Sequence, residues 1–96
     1  MKTGIELIAE ERQEQIEKHG YDIDWVKYNP IYYDKGQFLQ AACLLMVVGE
    51  MLITPLDYPT NWPYEDCEKM ISKSPIERLA VAGALIAAEI DRLQNQ

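Results

Sequence analysis

The chain is short of the residues from which most small catalytic and metal-binding sites are built. It holds one histidine, His19, and two cysteines, Cys43 and Cys67, in 96 residues. A single histidine excludes a His-rich metal site and leaves no Ser/His/Asp or Cys/His pairing in view. His19, at the end of a helical pattern, reads as a side chain favoured there by the helix dipole. The cysteines lie in different segments without Cys-x-x-Cys spacing, so neither a zinc site nor a disulfide framework is implied. Cys43, in an apolar run, reads as a small buried hydrophobe. The glycines Gly4, Gly20, Gly36, Gly49 and Gly83 are scattered, which leaves no glycine-rich loop to cradle a phosphate. Positive charge is also scarce. Nine Lys+Arg stand against 16 Asp+Glu, a net charge of -7, which argues against a DNA or RNA polymer as partner. The longest uncharged run, Gly36 to Gly49, has 14 residues, below the roughly 20 that cross a bilayer. The start, Met1-Lys2-Thr3-Gly4, enters a charged helical pattern with no signal peptide. The expectation is a cytoplasmic protein without membrane contact.

What is present reads as one all-α domain over residues 1–96: a small bundle of three long helices and one short helix, with long aromatic-rich loops. A chain of this size buries only about 60–65% of its unfolded surface, so association of copies would help it. Thr3 and Glu6 form a capping box that starts the first helix, and Gly20 ends it. Ile5, Ile8 and Ile16 share one face of that helix. Ser74, Pro75 and Glu77 mark the start of the last helix in the same way. Along it, Ile76, Leu79, Gly83, Ile86, Ile90 and Leu93 repeat at alternating spacings of three and four, a heptad-like seam. Ala80, Ala82, Ala84, Ala87 and Ala88 keep the helix thin. The central helix is expected over residues 35–52, capped by Asp34. Phe38, Leu39, Leu44, Leu45, Met46, Val47, Val48, Met51 and Leu52 occupy every side of it, and a helix apolar all round must be buried all round. The reading is therefore a homo-oligomer in which this helix meets its symmetry mate. A fourth, shorter helix is expected from Tyr64 to Ser72.

Nearly all the aromatic residues fall in the expected connecting segments between Tyr21 and Tyr64. Pro30, Pro55, Pro59 and Pro63 stiffen the same segments. Such rings either close the ends of a small bundle or form a surface on which something flat can stack.

Two resemblances extend this reading. Glu10-Glu11-Arg12-Gln13-Glu14 fits the spacing Glu-Glu-x-x-Glu, which places carboxylates on one helix face where they could hold Mg²⁺. The string resembles half of the motif of the all-α MazG-like nucleoside triphosphate pyrophosphohydrolases. In that family a second helix completes the magnesium cage with Glu-x-x-Asp. Here Glu50 is the only acid of the expected central helix, and Glu89 and Asp91 of the last helix diverge at a spacing of two. Glu11-Arg12-Gln13, Gly20-Tyr21, Trp62-Pro63-Tyr64 and the run from Ala82 through Leu93 together resemble a group of small phage and prophage proteins. That resemblance implies an accessory protein of a phage or mobile element. By analogy of gene context, it implies one that sequesters a nucleotide-derived immune signal of the host.

Arg12 shares its helix face with isoleucines, and a partly buried guanidinium needs a carboxylate or a phosphate. Glu89, the only charge between Leu79 and Ile90, is the expected internal partner; a phosphate gripped by both arms of the guanidinium is the functional alternative. The expected function is binding of a nucleotide-like small molecule without turnover, where the loops meet the first and last helices. Trp25, Tyr28, Trp62 and Tyr64 would stack on the base at about 1–3 kcal/mol each. Arg12 and Arg78 would hold phosphate, with Glu89 orienting Arg12. No cofactor is expected on this reading. The enzymatic alternative is a Mg²⁺-dependent pyrophosphohydrolase using Glu10, Glu11 and Glu14. A further alternative is a helical adaptor that docks on a host protein through its apolar central helix.

Overall fold

Thr3 and Glu6 exchange hydrogen bonds at the start of the first helix. Glu6 N–H donates to Thr3 Oγ1 at 3.2 Å, and Thr3 N–H donates to Glu6 Oε1 at 3.0 Å. This places helix α1 over Gly4–Lys18. Beyond it Gly20 adopts a φ of 71°, and Tyr21 N–H returns to the Gln15 carbonyl at 2.9 Å, the closure that a left-handed glycine permits. The computed structural model describes residues 1–18 and 20–95, with the backbone alone at position 23. The expectation for His19 lies outside the described residues.

Four more helices follow among the described residues: α2 (Ile23–Tyr28), α3 (Gln37–Val47), α4 (Tyr64–Ile71) and α5 (Pro75–Gln94), with 3₁₀ turns at Pro30–Tyr32 and Pro55–Asp57. Helix α5 begins as its sequence dictates, with Ser74 Oγ accepting from Glu77 N–H at 3.3 Å. It packs against both α1 and α3. The molecule measures 36 × 34 × 20 Å, and its short axis is about two helix diameters.

The core lies between α3 and α5. Phe38, Ala41, Ala42 and Leu45 of α3 meet Val81, Ala82, Leu85 and Ala88 of α5, and Val26 and Tyr33 close one end. The small side chains of α5 face inward, so its neighbours approach closely. Gly83 meets α1: a Cβ built there would lie 2.6 Å from Ile8 Cδ1, so a larger residue would require Ile8 to shift.

Four expectations need correction. The central helix is eleven residues, from Gln37 to Val47, shorter than 35–52. Asp34 does not cap it. The buried Gln37 organises its start: Oε1 accepts from Lys35 N–H at 2.7 Å and Nε2 donates to the Ile31 carbonyl at 3.0 Å. Val48 is extended and Gly49 takes a φ of 90°, so the helix cannot continue to residue 52. Within one chain Leu39, Cys43 and Met46 of α3 are exposed along one side, as expected of a helix that its own chain cannot cover. The exposed cysteine is thus Cys43, and Cys67 is the buried one. Finally, Trp25 and Tyr28 stand on α2, which the aromatic content had assigned to a loop. Asp22 caps that helix by accepting from Trp25 N–H at 2.8 Å.

Candidate functional site

The sequence-predicted residues do not converge on one pocket. Arg12 is largely buried, as its place among isoleucines required, but its partner is Asp91 and not Glu89. Its Nη2 and Nε donate to Asp91 Oδ2 at 2.8 and 3.2 Å, and Nη1 donates to the Tyr21 carbonyl at 2.9 Å. Glu89, 5% exposed, instead accepts from Arg92 Nε one turn further along α5. Arg78 donates from Nη1 to the Val48 carbonyl at 3.2 Å, tying α5 to the end of α3. Its Nε is buried without a hydrogen-bond partner among the described residues.

The rings divide into two groups. Trp62 belongs to an aromatic cluster that closes one end of the core. It lies 5.8 Å from the Tyr21 ring and 6.0 Å from that of Phe38, centroid to centroid. Its indole N–H donates to the Tyr32 carbonyl at 2.7 Å. Tyr33 stacks on Phe38 at 4.9 Å in the same cluster. Burial pushes the Tyr21 and Tyr33 hydroxyls up from the ordinary tyrosine range. Trp25, Tyr28 and Tyr64 are exposed. Trp25 reaches the cluster through its indole N–H, which donates to the Tyr33 hydroxyl oxygen at 2.9 Å. Tyr64 pairs with Tyr58 at 5.6 Å.

Two of the three α1 carboxylates expected to hold magnesium lie against lysines. Glu10 pairs with Lys2, and Glu14 lies 3.3 Å from Lys18 Nζ. Among the described residues, no three of His, Cys, Asp and Glu gather closely enough to hold a metal.

A different cleft draws charge together. It opens between α2, the turn at Pro30–Tyr32 and the last turn of α5, with a volume of about 250 Å³. Val26, Pro30 and Tyr33 form its apolar wall; Lys27 and Arg92 bring cations, and Asp34 and Asn95 bring further polar groups. Arg92, which lines the cleft, is held in place by buried Glu89, which takes its Nε. The Tyr33 hydroxyl oxygen already accepts from Trp25, and its own proton has no hydrogen-bond acceptor among the described residues. Such a cleft can seat a planar or apolar body against Tyr33 and Pro30, hold an anion with Lys27 and Arg92, and accept a ligand N–H at Asp34. None of the expected ligand-binding residues lines it, although Pro30 and Asp34, read from the sequence as a loop stiffener and a helix cap, do. Glu89 contributes through Arg92, and the i,i+3 spacing of Glu89 and Arg92 was the signal that could have located it.

In comparisons with known proteins, no family model, curated protein or solved structure matches this chain.

Proposed function

We propose that the chain binds a small nucleotide-like molecule, without turnover, in the cleft between α2 and the end of α5. One observation carries the reading. In a protein of net charge -7, Lys27 and Arg92 line the same cavity with Tyr33 and Asp34, and Glu89 pairs with Arg92 through Nε alone, leaving its other nitrogens for a ligand. A volume of about 250 Å³ is close to the lower end of small-molecule sites, roughly 300–1,000 Å³, and suits a mononucleotide or part of a larger nucleotide. The anion-holding role foreseen for Arg12 falls to Arg92, because Arg12 already donates to Asp91 and to the Tyr21 carbonyl.

The test is a panel of mononucleotides and cyclic nucleotides, scored by thermal shift and by calorimetry. At least one should stabilise the protein, be recovered intact after heat denaturation even with Mg²⁺ present, and lose its effect in Arg92→Ala and Lys27→Ala. A panel without any shift, or shifts that survive both substitutions, would overturn the reading. Pyrophosphate release abolished by Glu11→Gln would return the argument to the hydrolase.

A further inference from the structure

The heptad-like stripe of α5 does not pack inside the chain. Ile76 is 68% exposed, Leu79 56%, Ile86 39%, Ile90 51% and Leu93 53%. Helices α1 and α3 take the alanine-rich faces, and the larger side chains are left to solvent. The one gap in the stripe, Gly83, is filled from α1, where Ile8 stands against the glycine. Ile5, one turn earlier on α1, is exposed as well.

We propose that this stripe is the contact face of an antiparallel dimer, its occupant being the same stripe of a second copy. The spacing itself argues for the occupant. From residue 76 to 93 the intervals run three, four, three, four, three, which reads the same from either end. Turned about a twofold axis midway, Ile76 meets Leu93, Leu79 meets Ile90, and Ile86 meets the Ile8 side chain that fills the gap at Gly83. Each residue then finds its opposite in the isologous arrangement that a C2 pair requires. A period of 3.5 is also what keeps a seam in register along a partner helix. Charge permits the approach. Each chain is strongly acidic, yet no charged residue stands in the stripe, so the repulsion of two acidic copies is kept off the contact. The five side chains with Ile5 and Ile8 offer on the order of 600 Å² per copy, approaching the roughly 800 Å² per partner of a stable interface and exceeding a typical adventitious contact.

Sedimentation or light scattering of the wild-type chain should give twice the 11.1 kDa chain mass. Leu79→Glu and Ile90→Glu should each yield a monomer with an unchanged circular dichroism spectrum, since both positions are exposed in the single chain. Leu39→Glu, on the exposed side of α3, should leave the dimer intact. Orientation is read by thiol cross-linking in a Cys43→Ser background. Ile76→Cys mixed with Leu93→Cys should link through a short bismaleimide, whereas Ile76→Cys alone should not, because its two copies would lie about 25 Å apart. A monomeric wild-type chain overturns the proposal. So does a dimer dissociated by Leu39→Glu but not by Ile90→Glu, or cross-linking of Ile76→Cys to itself.

Discussion

Arg12 and Asp91, 79 residues apart in sequence, join the first helix to the last through two hydrogen bonds onto one carboxylate oxygen. The same guanidinium holds the Tyr21 carbonyl, so one side chain fixes α1, the chain after Gly20, and α5. This is work for a planar fork and not for a point charge. Arg12→Ala should cost about 1–3 kcal/mol, because it strands a carbonyl and a partly exposed carboxylate. Arg12→Lys should recover less than half of that loss. Denaturant midpoints at constant m-value decide the matter; a lysine variant as stable as wild type would show that the charge alone matters.

The contact between Gly83 and Ile8 offers a sign reversal. Alanine favours a helix interior over glycine by about 1 kcal/mol, yet a Cβ at position 83 would sit 2.6 Å from Ile8 Cδ1 and 2.7 Å from Cγ1. Overpacking of this kind costs about 1–3 kcal/mol. Gly83→Ala should therefore destabilise the native chain by about 1 kcal/mol. In an Ile8→Ala background the same change should stabilise by about 0.5–1 kcal/mol. Thermal unfolding of the four proteins completes the cycle, and equal effects in both backgrounds would remove the clash from the explanation.

Why the sequence disclosed some of this and not the rest follows from the range of each interaction. Thr3 with Glu6 and Ser74 with Glu77 lie within one turn, so the starts of α1 and α5 were legible before any fold existed. The start of α3 depends on Gln37 reaching back to the Ile31 carbonyl, a contact that no short pattern advertises. Helix α2 has six residues and one capping aspartate, too little periodicity to separate it from an aromatic loop. The spacing of Glu89 and Asp91 said that they diverge on a helix, but not which of them faces α1. The stripe of α5 was legible as a stripe. That it points outward depends on the alanine faces being preferred by α1 and α3, a tertiary outcome.

The group formed by Tyr58, Tyr64 and Glu68 makes stability depend on pH at both extremes. Tyr58 donates its hydroxyl to Glu68 Oε1 at 2.8 Å. Hydrogen bonds from Tyr64 and Tyr58 hold the Glu68 carboxyl below its ordinary value of 4.5. The bond to Glu68 pushes Tyr58 from 10.0 up to about 12. A depressed carboxyl contributes stability above its unfolded value and loses it as pH falls through the folded one. A raised tyrosine contributes below 10.0 and loses that contribution as pH climbs towards about 12. Thermal midpoints should therefore fall on both sides. Tyr58→Phe should flatten the alkaline limb, and Glu68→Gln should flatten the acid limb below 4.5. Unaltered limbs in these variants would mean that the bond is not kept in solution.

Trp62 separates a ring that holds the fold from a ring that holds a ligand. Its indole lies against Tyr21 and Phe38 and donates to the Tyr32 carbonyl, so it braces the segment after α2 against the loop before α4. Removing a ring from such a place costs about 3–5 kcal/mol when fully buried, and Trp62 is half-buried. Trp62→Ala should thus lower stability by about 2–4 kcal/mol, and Trp62→Phe by less, since the ring contacts survive while the hydrogen bond is lost. Trp25 gives the contrast. It is exposed and makes one side-chain hydrogen bond, to Tyr33, so Trp25→Phe should cost no more than about 1 kcal/mol. Paired urea titrations of these variants distinguish the two roles. A Trp62→Ala protein as stable as wild type would release that ring from the fold, and stacking on a planar ligand would again be the better account of its presence.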